Sequence, residues 1–186
     1  MSARPFASLL VLVPLALPAP APPHIRLDGE FKMTGRVTVA HDVPGEHAGE
    51  RVTRRWEFMA PCPEGQCTIE RLIRSRAAGQ DKVRLKRKRR VFSHWVGKGS
   101  FYAPIRCGSR IYKRGERVRF TIKVRITGVT MVDGAPVATS VKASYASYRR
   151  TNRTRCFAVL GHDAAAYTGT LITPAPVQSA PIPTPS

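Results

Sequence analysis

In this chain of 186 residues, the side chains whose types and spacing most clearly suggest a chemical role are the arginines and lysines. Between Lys82 and Val132 there are 16 of them and a single acid, Glu116. Clustered guanidinium and ammonium groups bind anionic polymers by neutralising their charges and releasing counterions. The formal net charge of +19 at pH 7 extends this bias to the whole chain. Such a charge favours nucleic acids, anionic glycopolymers or anionic membranes as partners; alternatively, it reflects composition and serves only solubility.

The basic residues alternate with apolar ones, which predicts the elements that hold them. In Arg117–Ile126 every even position is apolar and every odd position is basic or hydroxylic. This period of two is typical of a half-buried β-strand, and Lys82–Lys86 repeats it. If the two strands share a sheet, their outer faces form one cationic surface. The residues predicted to bind anionic polymer are Lys82, Arg84, Lys86, Arg87, Lys88, Arg89, Arg90, Arg117, Arg119, Lys123 and Arg125.

The same region contains aromatic residues, namely Phe92, Trp95, Phe101 and Tyr102. Aromatic rings interleaved with cations can stack the bases of a single strand, but they are also ordinary core residues. Contacts to phosphate groups carry no sequence information. We therefore expect a wall polymer or another polyanion as partner, and nucleic acid only without sequence preference.

Four cysteines, Cys62, Cys67, Cys107 and Cys156, suggest two disulfides in an exported chain. Cys62 and Cys67 flank a turn-rich loop, Pro63–Gln66, so we pair these two and pair Cys107 with Cys156. A zinc site of four cysteines is the alternative. It is disfavoured because zinc ligands usually come in two close pairs and here only the first pair is close.

The sequence offers no recognisable catalytic motif. It contains no G-x-S-x-G, no H-E-x-x-H and no phosphate-binding glycine loop. Gly161-His162-Asp163 places an acid beside an imidazole, but adjacency in sequence does not make a triad. We predict a non-enzymatic protein without metal or cofactor. The alternatives are a barrel that carries a small ligand and, less favoured, a small secreted hydrolase.

The termini differ in composition from the rest. Residues 1–23 resemble an export signal, with Arg4, an apolar run from Phe6 to Leu17 and the small-x-small motif Ala19-Pro20-Ala21. The apolar run is too short for a confident membrane span, and no transmembrane partner is inferred. Residues 24–28 are a predicted linker, 29–172 a single domain and 173–186 a proline-rich disordered tail. These features predict a secreted protein, retained at the membrane if the N-terminal segment is not cleaved.

Between the termini the pattern is that of strands throughout. Asp133-Gly134 between two alternating segments predicts a hairpin, and Gly97 and Gly99 beside Lys98 predict a turn. Arg54 interrupts the pattern of its strand and predicts a bulge or a side chain that reaches solvent. We predict an all-β fold: an antiparallel sandwich or small barrel of about eight strands, stapled by disulfides. Its predicted core includes Trp56, Phe58, Phe120, Ile122 and Val124.

One set of motifs resembles a group of uncharacterised exported proteins of actinobacteria. These motifs are the W-x-F strand at Trp56 and Phe58, the C-x4-C loop at Cys62 and Cys67, and the later cysteines Cys107 and Cys156. The resemblance spans about Phe31 to Ile172. It implies an exported all-β domain with disulfides and assigns no activity and no functional residues.

Overall fold

A computed structural model describes residues 25–60, 69–76, 79–88, 93–156 and 159–174. Its eight strands are β1 (Gly29–His41), β2 (Arg51–Met59), β3 (Ile69–Arg76), β4 (Gly79–Arg87), β5 (His94–Cys107), β6 (Arg110–Val132), β7 (Ala135–Asn152) and β8 (His162–Thr173). Each strand pairs antiparallel with the next, and β8 pairs with β1, so the sheet is a closed barrel in chain order. The prediction of an all-β fold is confirmed. Across the described ranges, no helix is long and apolar enough to cross a membrane.

The alternation read from the sequence decides which side chains fill the barrel. On β6 the even positions Val118 to Ile126 point inward and are buried, while the odd positions point outward. The five predicted core residues are confirmed as buried. Trp56, Phe58, Phe120, Ile122 and Val124 are at most 1% exposed. Because inward and outward residues alternate along every strand of a barrel, the basic odd positions must lie on its outer surface.

The two predicted turns have different outcomes. The Asp133-Gly134 hairpin is confirmed, because Val132 pairs with Ala135 and both turn residues have positive φ, 50° and 77°. The turn at Gly97–Gly99 is wrong, since β5 continues through it. A Cβ at Gly99 would lie 2.4 Å from the Phe120 ring, so this glycine makes room for an interior ring.

The bulge expected at Arg54 is absent, whereas the alternative, a side chain that reaches solvent, agrees with its being only half-buried. Arg54 pairs in register with Met33 and lies on the inward side of β2, where its Nη1 donates to the Thr53 carbonyl at 2.9 Å. The charged residue therefore occupies a core-facing position near one end of the barrel, which the apolar pattern could not reveal.

The two ends of the barrel are built differently. One end carries the Asp133–Gly134 turn and is covered by Leu27, which is fully buried although it lies in the segment predicted as a linker. The other end, here called the mouth, is where β1, β3, β5 and β7 finish. The predicted disulfide Cys107–Cys156 is present at the mouth and joins the end of β5 to the chain after β7.

The remaining segments lie outside the described residues. They comprise the predicted export signal, the Cys62–Cys67 loop and most of the proline-rich tail, residues 175–186. The Cys62–Cys67 disulfide stays a prediction.

Candidate functional site

The basic strands are neighbours in the barrel, with β5 between β4 and β6. Their outward cations therefore lie on one continuous surface, about 4.8 Å apart between strands and about 7 Å apart along a strand. In one row across the sheet Arg71 pairs with Arg84, and Arg84 with Lys98. The basic outer face is defined here as eleven of the outward cations of β3–β7, namely Arg71, Lys82, Arg84, Lys86, Lys98, Arg117, Arg119, Lys123, Arg125, Lys142 and Arg149. Arg106, Arg110, Lys113 and Arg114 are further exposed cations of β5 and β6, closer to the mouth.

The acids of the same strands point the other way. Strands β3–β7 contain three acids, Glu70, Asp81 and Glu116, which are only 2%, 6% and 5% exposed. No carboxylate therefore lies on the outer surface of these five strands. An exposed surface of guanidinium and ammonium groups without acids keeps its charge available for an external anion.

Interior arginines neutralise two of these acids. Arg74 donates two hydrogen bonds to Asp81, at 2.8 and 2.7 Å, and Arg76 Nε donates a third at 2.9 Å. Glu116 accepts a hydrogen bond from Arg150, which also donates to Asp163 at 2.6 Å. Burial raises the pKa of Glu116, against the opposing effect of Arg150. The inward ion pairs thus hold the carboxylates away from the basic outer face.

Two aromatic residues, the half-buried Tyr102 and the exposed Tyr148, lie among the outward cations. Tyr102 is covered by the guanidinium groups of Arg114 and Arg153, whose carbons lie 4.0 and 5.0 Å from the ring centroid. Arg114 first, and then Arg153 and Arg117, lower the pKa of Tyr102, because nearby cations favour the phenolate. Lys98 Nζ lies 5.6 Å from the ring of the second residue, Tyr148. Both rings could stack a planar group beside an anionic backbone.

Most of the predicted site residues lie together. Lys82, Arg84, Lys86, Arg117, Arg119, Lys123 and Arg125 all belong to the basic outer face. Lys88 is exposed just beyond β4, and Arg89 and Arg90 lie outside the described residues. Arg87 differs from the others, because it follows Val83 and Leu85 on the inward side of β4 and its charge lowers the pKa of Glu70.

Sequence reasoning missed several cations of this surface. Arg71, Lys98, Lys142 and Arg149 come from strands whose sequences are not markedly basic, and only pairing with β4 and β6 adds them. Of the aromatic residues named from the sequence, Trp95 is a core residue at 1% exposure and Phe101 packs on Phe120. Tyr102 alone lies outward as a possible contact, while Phe92 is outside the described ranges.

The histidines and cysteines do not assemble a reactive centre in the part of the chain that the structure describes. His162 stacks on His41 with ring centroids 5.3 Å apart, whereas the adjacent Asp163 points inward to Arg150. Cys107 and Cys156 are bonded to each other, so neither is a zinc ligand. Among the described residues, no group of three or more His, Cys, Asp or Glu could hold a metal ion.

Comparisons with protein-family models, curated proteins and solved structures give no match to this chain. Its function must therefore be argued from the surface itself.

Proposed function

We propose that this protein is an exported, non-enzymatic β-barrel that binds anionic polymers through its basic outer face. The observation that carries the proposal is the complete absence of carboxylates from the outer surface of β3–β7, together with the eleven cations of the basic outer face. If the positive charge served only solubility, there would be no reason for every acid of these strands to lie on the inward side while the outward charged residues are all basic. Export is supported by the Cys107–Cys156 disulfide, since disulfides persist in oxidising compartments.

The geometry favours binding that does not depend on the base sequence of a nucleic acid. The cations lie on the convex outer surface of the barrel, as single charged groups at the spacing of the strands. Binding should therefore depend on the charge density of the polymer, so sulfated polysaccharides, phosphate-containing wall polymers and nucleic acids should compete with one another.

A pair of matched variants on immobilised heparin tests the proposal. Arg117→Gln, Arg119→Gln and Arg125→Gln together remove three charges from the basic outer face. Lys32→Gln, Arg36→Gln and Arg51→Gln remove three exposed charges from β1 and β2 on the other side of the barrel. The wild-type protein and the second variant should be retained at about 0.1 M salt and elute at similar salt. The first variant should elute clearly earlier.

Equal elution shifts for the two variants would show that only net charge matters. In that case the basic outer face would be ordinary solvated surface. Circular dichroism of each variant confirms that the barrel is intact before elution is compared.

A further inference from the structure

A second candidate site lies inside the barrel and does not depend on the basic outer face. At the mouth there is a cavity of about 450 Å³, lined by residues of several strands and by the chain between β1 and β2. Small-molecule sites usually enclose about 300–1,000 Å³ and combine an apolar wall with a few polar groups. The mouth cavity has both parts.

Its apolar wall is aromatic. Trp56 and Tyr167 line the cavity with ring centroids 5.3 Å apart, and Phe101 and Tyr145 line it as well. Aromatic faces bind planar apolar bodies with little loss of side-chain entropy, because each ring has only two rotatable bonds.

Its positive wall is formed by Arg74 and Arg76, which share the single carboxylate of Asp81. Arg74 lies over the Phe120 ring at 4.2 Å and Arg76 over the Phe101 ring at 3.9 Å, so packing fixes the orientation of both guanidinium groups. The hydrogen bonds to Asp81 leave Nη1 of Arg74 and both Nη atoms of Arg76 without a partner among the described residues. At this wall two arginines face one carboxylate, whereas Arg150, which also lines the cavity, is paired with both Glu116 and Asp163. The positive charge is therefore local to Arg74 and Arg76, and an additional anion bound there would compensate it.

Two further polar atoms at this cavity lack partners. The hydroxyl of Tyr145 and Nε of Arg150 are buried without a hydrogen bond, and the two side chains are only about 7% exposed. Buried polar groups in folded proteins nearly always have a partner, so both atoms indicate a missing acceptor. Glu46 and Glu50 line the cavity on the side of the chain between β1 and β2. The volume of about 450 Å³ admits a small molecule and is too small for a polymer.

We propose that the mouth cavity binds a small organic anion, with a planar apolar body against Trp56 and Tyr167 and one acidic head group at Arg74 and Arg76. The head group supplies the acceptor that the free Nη atoms and the Tyr145 hydroxyl lack. This site would be occupied independently of any polymer on the basic outer face.

The test uses two fluorescent probes that share a body and differ in charge. Anilinonaphthalene sulfonate carries one acidic group, whereas phenylnaphthylamine is its neutral counterpart. The wild-type protein should bind one sulfonate probe per chain, and heparin should not displace it. Arg76→Gln should weaken the sulfonate probe by about tenfold or more and the neutral probe by less than about twofold, since a charge-assisted hydrogen bond is lost only with the anion.

A second variant guards against a folding defect in the first. Tyr145→Phe removes a hydroxyl that has no protein partner, so it should not lower the stability of the barrel, yet it should weaken the sulfonate probe several-fold. The triple variant of Arg117, Arg119 and Arg125 should leave both probes unaffected. Unchanged sulfonate affinity in both cavity variants, equal losses for the two probes, or displacement by heparin would overturn the proposal.

Discussion

Replacing Glu70 by glutamine should change how the stability of the barrel depends on pH. Glu70 is 2% exposed on the inward side of β3, and its Oε2 has no hydrogen-bond partner. Burial, with a smaller effect of Asp28, raises its pKa from 4.5 to about 8, although Arg87 and Arg26 act in the opposite direction. Between about pH 4.5 and pH 8 the folded protein therefore holds a proton on this carboxyl that the unfolded chain has already released.

The sign and size of the effect follow from this difference. A folded pKa above the unfolded value contributes stability that is complete below about pH 4.5 and is lost as the pH rises to about 8. The two pKa values differ by about 3.5, and each pKa unit corresponds to about 1.4 kcal/mol, so the full effect is about 5 kcal/mol. Relaxation around a buried carboxylate lowers this value, and we expect about 3–5 kcal/mol.

Urea unfolding between pH 4 and pH 9, followed by tryptophan fluorescence, measures the effect. Glu70→Gln should match the wild-type protein near pH 4 and exceed its free energy of unfolding by about 3–5 kcal/mol near pH 9. Glu57→Gln removes the same charge from an exposed position of β2 and controls for net charge. Parallel pH curves for the wild-type protein and Glu70→Gln would refute the reasoning, as would a less stable variant at pH 9.

Three further substitutions test the packing of the barrel. Phe120→Ala should lower the free energy of unfolding by about 3–5 kcal/mol, because a fully buried ring leaves a cavity; a loss below about 1 kcal/mol in urea unfolding would contradict its place in the core. Asp81→Asn leaves Arg74 and Arg76 without their carboxylate and should lower the free energy of unfolding by about 3–5 kcal/mol in the same assay. An unchanged free energy of unfolding would mean that these two arginines are solvated. Joint replacement of Cys107 and Cys156 by serine removes a cross-link between residues 49 positions apart and should lower the free energy of unfolding by about 4 kcal/mol in the chain-entropy model. Thermal unfolding of the wild-type protein that is the same with and without reductant would contradict this contribution.

Much of the architecture could be predicted from local patterns. The alternation of Arg117–Ile126 correctly predicted which side chains are buried, because a strand places successive residues on opposite faces. The Asp133-Gly134 turn and the Cys107–Cys156 disulfide were also predictable, since turn chemistry and cysteine number constrain both. The choice between sandwich and barrel was not, because it depends on the pairing of β1 with β8 across the whole chain.

The interior charges could not have been predicted from one sequence. Arg74 and Asp81 occupy core-facing positions that a hydrophobic pattern treats as interruptions, and each is acceptable only because the other lies opposite it on the next strand. The same limitation concealed the mouth cavity and the absence of acids from the outer surface of β3–β7. The role of Gly99 is hidden in the sequence for a related reason, because this glycine accommodates the distant Phe120 ring and does not turn the chain.

The salt dependence of duplex DNA binding tests the central claim most directly. If the basic outer face contacts about six phosphates, the logarithm of the wild-type affinity should fall with the logarithm of the salt concentration at a slope near −5. Joint replacement of Arg117, Arg119 and Arg125 by glutamine should reduce the magnitude of the slope to about 2–3, because each lost contact removes about 0.9. The triple variant of Lys32, Arg36 and Arg51 should keep the wild-type slope. The same slope for the wild-type protein and both triple variants would contradict binding through the basic outer face.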